Sequence, residues 1–161
     1  MGRILEWRNQ NLEAWRTPRT LTMLDQYKWW WKVSHEKPCT HWAIYDNNEF
    51  IGQGEISNII PEYGIGEIGL IIDPKKRGKG RGREAVYNIL RIGFLELNLY
   101  TIFGEVYHCN AARTFWESIY KDMGGTMTIL PCRKHWRSQY YDSTYFSISR
   151  DQFVRFARGM V

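Results

Sequence analysis

Three features are scarce or missing in this sequence, and each absence excludes a class of protein. The chain has only three cysteines, Cys39, Cys109 and Cys132, which are odd in number and widely spaced, so a disulfide-stapled secreted domain is not expected. No apolar run approaches the ~18 residues of a membrane span, and the N-terminus shows no signal-peptide pattern. We therefore expect a protein without a membrane partner, working in the reducing cytoplasm.

Metal ligands at close spacing are also scarce. Cys132-Arg-Lys-His135 is the nearest approach to a metal pattern, and no second close pair accompanies it. No repeat, low-complexity tract or linker divides the 161 residues. A chain of this length buries roughly 70% of its unfolded surface in a single core, so we expect one domain over residues 1–161 with no bound metal.

The chain does contain a strand, a basic glycine turn and a helix in direct succession. Residues 68–72 are apolar and stop at Asp73-Pro74, as in a buried strand. Apolar side chains recur at three- and four-residue steps through 86–97, the pattern of one buried helical face. The turn between them alternates glycine with basic residues: Gly78, Lys79, Gly80, Arg81, Gly82 and Arg83.

The positive charge of the chain is concentrated in this turn. Residues 75–83 hold six of the 22 basic residues and no acidic one, which leaves 16 basic against 17 acidic residues elsewhere. Glycine lets the backbone approach a ligand closely, and a helix N-terminus offers unpaired N–H groups. We therefore expect a compact polyanion such as a pyrophosphate. A nuclear-localisation-like run and an arginine-glycine nucleic-acid segment are the alternatives.

The glycine spacing excludes two common phosphate motifs. A nucleoside-triphosphate loop places Ser or Thr after Gly-Lys, whereas Gly80 follows Lys79 here. A dinucleotide fingerprint requires Gly-x-Gly-x-x-Gly, and here one residue separates the second and third glycines. The pattern Arg77-x-x-Gly80-x-Gly82 instead resembles the pyrophosphate-binding motif of the GNAT superfamily of acetyl-CoA-dependent N-acetyltransferases.

A second helix extends the resemblance. Asn110 is a good N-cap, and Gly124-Gly125 is a strong helix stop. In the GNAT pattern an Asn after the fifth strand similarly opens a helix that ends in Tyr-x-x-x-Gly. Counting back from Gly124 places Tyr120 at the tyrosine position. The interval from Asn110 is about one helical turn longer than usual, so Trp116 is the alternative occupant.

The resemblance implies a fold, a co-substrate and a set of contacts. The fold is α/β (α+β), with a single mixed, mostly antiparallel sheet of six to seven strands, about four helices and a central βαβ unit, and the family's first strand is truncated or absent. The co-substrate is acetyl-CoA. The cofactor-binding residues implied or inferred are Leu70, Ile71, Ile72, Arg77, Gly78, Lys79, Gly80, Arg81, Gly82, Asn110 and Arg113.

The β-rich runs of the sequence agree with such a sheet. Strands are predicted at residues 40–45, 49–59, 68–72, 100–107, 125–130 and 140–149. Helices are predicted from 4 to about 16 and from Thr22, where Asp25 completes a variant capping box. A basic loop with Arg133 to Arg137 is expected to separate the last two strands.

The implied reaction is transfer of acetyl from the CoA thioester to a primary amine by direct attack. An amine attacks only when neutral, so a base is useful, and the departing thiolate benefits from an acid. Glu67, which begins the central strand near the family's glutamate, is the first candidate base, followed by Glu55 and His108. Tyr120 is the candidate acid. A solvated strand-end carboxylate and a plain core tyrosine are the structural alternatives for Glu67 and Tyr120.

The acceptor and the assembly are less constrained. Glu6-Trp-Arg-Asn9 and Asp142–Phe153 are similar to the branch of ribosomal-protein N-terminal and nucleotide-amino-sugar acetyltransferases. The resemblance implies a protein N-terminus or a small amine as acceptor, with an amino sugar or modified nucleotide as the alternative. A nucleic-acid-binding module and a non-catalytic CoA sensor are the alternatives from other classes. We expect a monomer or homodimer.

Overall fold

Six strands form one mixed sheet in the computed structural model of the protein, which describes residues 2–36 and 38–159. The helices are α1 (Gly2–Asn9), α2 (Met23–Glu36), α3 (Arg81–Leu95), α4 (Arg113–Asp122) and α5 (Arg150–Arg158). The strands are β1 (Thr40–Asp46), β2 (Glu49–Ile60), β3 (Ile65–Ile72), β4 (Thr101–Tyr107), β5 (Thr126–Trp136) and β6 (Gln139–Ser149). Within these ranges no helix combines the length and apolarity needed to cross a membrane.

The strand order confirms the predicted fold class. The sheet runs β1-β2-β3-β4-β6-β5, and β3 and β4 form its parallel pair while the other neighbours are antiparallel. The helix α3 bridges the parallel strands, so the predicted central βαβ unit is present. Five α-helices are found in the described chain, where about four were expected.

The last hairpin differs from the prediction. Residues 133–137 were expected to form a basic loop, but β5 continues to Trp136 and the turn consists of residues 137–138, with φ angles of 48° and 62°. The strand continues because its register shifts between Leu130 and Lys134. Cys132, with a φ of 52°, lies within that shift as a bulge. Strand β5 therefore carries three of the residues that sequence reasoning assigned to a basic loop, Arg133, Lys134 and His135, and Arg137 lies in the turn.

The first helix is shorter than predicted. It was expected to reach about residue 16, and α1 ends at Asn9. The Asn9 side chain donates to the Leu21 carbonyl at 2.9 Å, and the Asn11 side chain donates to the Trp7 carbonyl at 3.0 Å. Asparagine side chains that bind backbone groups compete with helix continuation, which explains the early end.

Two helix starts are set by capping boxes. At α2 the Thr22 N–H donates to the Asp25 carboxylate at 2.9 Å and the Asp25 N–H donates to the Thr22 hydroxyl at 3.2 Å, as the sequence predicted. At α5, which was not predicted, the Ser149 and Gln152 side chains cap each other's backbone. The second box converts the end of β6 into a helix.

The hydrophobic core lies on one face of the sheet, beneath α3 and α4. Val86, Leu90 and Ile119 are fully buried there against Ile102 and Phe146. Side chains alternate between the faces of a strand, so neighbouring positions point to the opposite face, which the N-terminal segment covers. That face carries three carboxylates: Glu55, Glu67 and Glu105.

Candidate active site

The parallel strands β3 and β4 separate at the centre of the sheet. Their pairing ends at Glu67 and Phe103, after three residue pairs. Beyond this point β3 stays paired with β2 as far as Ile72, and β4 stays paired with β6 as far as Tyr107. Because each strand follows a different neighbour, the sheet twist carries them apart and leaves backbone N–H and C=O groups unpaired along the facing edges. We call this gap the wedge; it suits a ligand that hydrogen-bonds to a strand edge.

The glycine turn follows β3 directly, at the open end of the wedge. Gly78 and Gly80 both have a φ of 78°, a conformation that disfavours a β-carbon. The first hydrogen bond of α3 runs from the Glu84 N–H to the Gly80 carbonyl at 3.1 Å. The N–H groups of residues 81–83 therefore precede the helical ladder and can bind an anion. The turn offers the backbone donors that a pyrophosphate requires.

Most basic side chains of the turn are held by neighbouring groups. Arg77 Nε donates to the Ile72 carbonyl at 3.2 Å and so ties the turn to the end of β3. The ion pairs of the segment are Arg81–Asp46, Lys76–Glu49 and Arg83–Asp122. Lys79 has no such partner in the part of the chain that the structure describes. These contacts fix the turn's shape, and the backbone is left as its open surface.

The helix α4 closes the core side of the wedge. A β-carbon at Gly82 would lie 3.1 Å from the Phe115 ring, so glycine lets the start of α3 approach α4 closely. The helix begins at Arg113 with Ala112 at the N-cap position, so Asn110 is not the N-cap that the sequence predicted. Asn110 Oδ1 instead accepts the Ala112 N–H at 2.9 Å in the turn before α4. Arg113 Nε donates to Glu117, one helical turn along, at 2.8 Å. Asn110 and Arg113 thus lie at the start of α4, where these polar atoms hydrogen-bond within their own segment.

Both aromatic candidates of α4 pack on Phe146. The ring centroids of Tyr120 and Phe146 are 4.3 Å apart, and Trp116 stacks on the same ring at 5.3 Å. Phe146 lies opposite Gly104, which is the first β4 residue after the last β3–β4 pair, Glu67 and Phe103. Tyr120 is fully buried, its hydroxyl has no hydrogen-bond partner among the described residues, and burial raises its pKa well above the ordinary value. Tyr120 thus keeps its proton, and its hydroxyl is an unpartnered donor enclosed in the core.

His108 lies on the α4 side of the sheet, away from Glu67. Its Nε2 is 3.1 Å from the Thr144 hydroxyl, which donates to the Glu117 carboxylate at 2.6 Å. Burial opposes ionisation of Glu117, but hydrogen bonds from Arg113 and Thr144 outweigh it and lower the Glu117 pKa. The structure therefore joins His108 to Arg113 and does not bring it to Glu67.

Glu67 lies on the polar face at the point where β3 and β4 part. Its carboxylate is bound by the Arg16 guanidinium through both oxygens and by Asn58 Nδ2 at 2.7 Å. The Glu67 side chain is 13% exposed, whereas that of Arg16 is 57% exposed. Glu67 is thus a mostly buried carboxylate whose charged partner, Arg16, is largely exposed.

Glu105 is a buried anchor that sequence reasoning missed. Its side chain is 8% exposed and accepts hydrogen bonds from Arg133 at 3.0 Å and Ser143 at 2.6 Å. Burial opposes its ionisation, but these bonds and the charges of Arg133 and Arg16 outweigh burial and lower the Glu105 pKa. An acidic residue inside the predicted strand 100–107, between Gly104 and Val106, was the signal that could have found it.

The same polar face holds a histidine–carboxylate pair. His41 Nδ1 lies 3.0 Å from Glu55 Oε2, across the β1–β2 pairing. Gly69 makes room for Glu55, because a β-carbon there would lie 2.7 Å from the Glu55 side chain. Sequence reasoning named Glu55 as a reserve base and did not connect it with His41.

A strand-edge wedge and an anion-binding turn together suit an extended ligand that carries a phosphate or pyrophosphate. Residues 2–114 match the family model described as acetyltransferase (GNAT) domain. The chain therefore belongs to the GNAT acetyltransferase family and is an N-acetyltransferase with acetyl-CoA as co-substrate. No curated protein matches the chain.

Solved structures of spermidine N-acetyltransferase share the fold. The enzyme from Vibrio cholerae in complex with CoA and spermine superposes with a TM-score of 0.82 at 20% identity, covering 94% of this chain and 89% of that chain. The dodecameric structure of the Vibrio cholerae enzyme in an intermediate state gives a TM-score of 0.78 at 20% identity, covering 94% and 88%.

Proposed function

We propose that the protein transfers acetyl from acetyl-CoA to a primary amine of a small molecule by direct attack on the thioester. One observation carries the proposal: the wedge has an anion-binding turn at one end and a carboxylate-bearing face beside its apex. The first feature suits a coenzyme with a pyrophosphate, and the second suits a cationic acceptor. The amine and the thioester would meet where β3 and β4 part.

The donor side would be built chiefly from backbone. The pyrophosphate would bind the N–H groups of the turn, from Gly78 to Gly82, with Arg77 holding the turn and Lys79 and Arg81 supplying charge. The pantetheine arm and the thioester carbonyl would bind the free edge of β3 at residues 70–72. Asn110 and Arg113 would contact the coenzyme from the start of α4.

Glu67 would take the proton that the acceptor amine must lose. Its position at the parting point supports this role, and an arriving cation would compete with Arg16 for the carboxylate. Holding the amine beside the thioester supplies the orientation that the direct reaction needs. His108, which lies across the sheet in the Arg113 network, is the weaker candidate.

Tyr120 would donate a hydrogen bond to the departing sulfur. A thiol titrates near 8.5 and a tyrosine near 10 in water, and burial raises the pKa of Tyr120 further. Full proton transfer from Tyr120 to a thiolate would thus be uphill, whereas a hydrogen bond to the developing charge is favourable. The unpartnered hydroxyl supports this role over that of Trp116.

The acceptor is the finer part of the proposal. Two lines favour a small cationic amine: the three carboxylates of the polar face, and the similarity to enzymes named for spermidine. The sequence resemblance to the ribosomal-protein and amino-sugar branches keeps a protein N-terminus and a nucleotide-linked amino sugar as alternatives. The exposed Arg16 and Arg133 guanidinium groups pair with two of these carboxylates and would attract a phosphate, so the nucleotide-linked amino sugar stands beside the protein N-terminus as an alternative.

A coupled assay for free CoA thiol tests the proposal. The panel would contain aliphatic monoamines, diamines, peptides with free N-termini and a nucleotide-linked amino sugar. We expect acetyl-CoA to raise the melting temperature and small amines to release thiol fastest. Coenzyme binding without release for any amine would indicate a sensor. Salt-sensitive nucleic-acid binding without stabilisation by acetyl-CoA would indicate a binding module.

A further inference from the structure

A cavity of about 180 Å³ lies on the polar face, between α2 and the strands β1 and β2. Side chains that line it include Trp29, His41, Glu55, Ser57 and Asn58. Among the residues that the structure describes, its lining contains the Glu55 carboxylate and no lysine or arginine. The mechanism proposed above leaves the cavity unused.

One buried nitrogen of a residue that lines this cavity lacks a partner. His41 Nδ1 is occupied by Glu55 at 3.0 Å and by Gln53 at 2.9 Å. His41 Nε2 is buried and has no hydrogen bond to any described residue. A buried polar atom without a partner costs free energy, so a ligand that hydrogen-bonds to Nε2 would remove that cost.

The other lining groups indicate the charge of such a ligand. The Trp29 ring meets His41 edge-on, with centroids 5.4 Å apart, and so forms an aromatic wall of the cavity. An ammonium group has three donors and no acceptor, and it is attracted by both a carboxylate and an indole face. Glu55 and the Ser57 hydroxyl supply two acceptors, and with Nδ1 donating to Glu55, Nε2 of an uncharged imidazole ring supplies a third. Arg8 does not belong to the lining. Its guanidinium lies over the Trp15 ring and interacts electrostatically with Glu55.

The cavity is joined directly to the proposed reaction centre. Asn58 lines the cavity and donates to Glu67 Oε2 at 2.7 Å. In the β2–β3 pairing Ser57 lies opposite Glu67, and Glu55 lies opposite Gly69. One strand spacing, about 4.8 Å, therefore separates the cavity floor from the strand that bears Glu67. A short aliphatic chain can reach from one to the other.

We propose that this cavity binds a second ammonium group of the acceptor, so that the protein prefers straight-chain diamines and polyamines over monoamines. The inference rests on the proposed function. The reactive amine would lie beside Glu67, while the distal ammonium is held by Glu55, His41 and Trp29. The preference would then depend on the length of the chain between the two nitrogens.

The test compares monoamines with diamines of equal chain length as acceptors. In the native protein we expect kcat/KM to favour diamines by about tenfold or more, with an optimum length, since one charge-assisted contact is worth that much. Glu55→Gln and His41→Leu should each reduce the diamine-to-monoamine ratio by about tenfold. Calorimetric titration of a diamine without acetyl-CoA should show matching losses of affinity.

Matched variants separate local from general effects. Glu62→Gln removes the same charge from an exposed position in the 61–63 turn, and it should leave the ratio unchanged. Trp31→Leu changes an exposed tryptophan of α2 that stacks on His35 and should also leave the ratio unchanged, whereas Trp29→Leu should lower it. Acetyl-CoA stabilisation would confirm that each variant is folded.

Failure of this inference differs from failure of the proposed function. Equal kcat/KM for diamines and monoamines in the native protein, or ratios unaffected by Glu55→Gln and His41→Leu, would overturn the diamine subsite while transfer continues. Absence of thiol release with every amine would overturn the proposed function itself, and calorimetric diamine binding that Glu55→Gln weakens would still support the subsite.

Discussion

In the proposed active site, the donor side is built mainly from backbone groups and the acceptor side from side chains. The donor side is a turn of nine consecutive residues, 75–83, in which glycine conformation and helix N–H groups supply the contacts. The acceptor side is assembled from side chains far apart in sequence, as in the contacts of Glu67 with Arg16 and Asn58. Substitutions on the donor side should therefore act through backbone shape, and those on the acceptor side through charge.

The largest effect is expected for Gly80→Val. Gly80 has a φ of 78°, and among the described residues no heavy atom lies within 4 Å of the point where a β-carbon would be attached. A β-carbon would therefore meet no steric clash there, but it would strain the turn and misplace the N–H groups. Losing two charge-assisted hydrogen bonds should weaken acetyl-CoA binding about 1000-fold. Calorimetric titration would measure the change.

Gly124→Val is the matched control for Gly80→Val. Gly124 also has a positive φ, 70°, and open space around it, at the far end of α4. Both substitutions should cost stability of about 1–2 kcal/mol, while acetyl-CoA affinity falls at Gly80 alone. Equal affinities for the two variants would contradict a backbone-built pyrophosphate site.

Tyr120→Phe should have the next largest effect, on the chemical step. Removing the hydroxyl keeps the ring on Phe146 and deletes a buried unpaired group, so stability should hold or rise by about 1 kcal/mol. We expect kcat to fall roughly 100-fold with unchanged acetyl-CoA affinity. Tyr63→Phe, at an exposed position, is the control. A loss of kcat in Trp116→Phe but not in Tyr120→Phe would assign to Trp116 the hydrogen bond to the departing sulfur.

Glu105→Gln tests whether the buried Glu105 carboxylate stabilises the acceptor side through its bonds to Arg133 and Ser143. The substitution leaves Arg133 and Ser143 without their ionised partner, which should lower the free energy of unfolding by about 2 kcal/mol at neutral pH. Because the folded state lowers the Glu105 pKa, this stabilisation is present above the unfolded value of about 4.3 and is lost as pH falls through the folded pKa. Denaturant unfolding at several pH values should show the difference shrinking below about pH 4. A difference that persists at low pH would refute the role of charge.

Glu67→Gln should have the smallest of these effects, about a tenfold loss in kcat/KM, because water can also carry away the amine proton. Arg16→Ala removes the partner of Glu67 and leaves the carboxylate in place. If Glu67 is the base, Glu67→Gln lowers kcat/KM more than Arg16→Ala does. If Glu67 is only a structural partner of Arg16, the two variants lose the same fraction of kcat/KM. The thiol-release assay with saturating acetyl-CoA distinguishes them.

The same contrast explains what could be predicted from the sequence. Glycine spacing and apolar periodicity are local, so the turn before α3, the central strand and the α2 capping box were all predictable. The bulge at Cys132 depends on strand register, and the hydrogen bonds of Glu105 come from residues 28 and 38 positions away. Pairing between distant side chains leaves no local pattern, and the His41–Glu55 pair was missed for that reason.

Amide hydrogen exchange with and without acetyl-CoA tests the central claim most directly. A coenzyme held by backbone should slow exchange at residues 78–83 and along the free edge of β3 at 70–72, while exchange in the β5–β6 hairpin stays unchanged. Protection at both segments would support a donor site built in the wedge. Binding of acetyl-CoA without protection in either segment would contradict it.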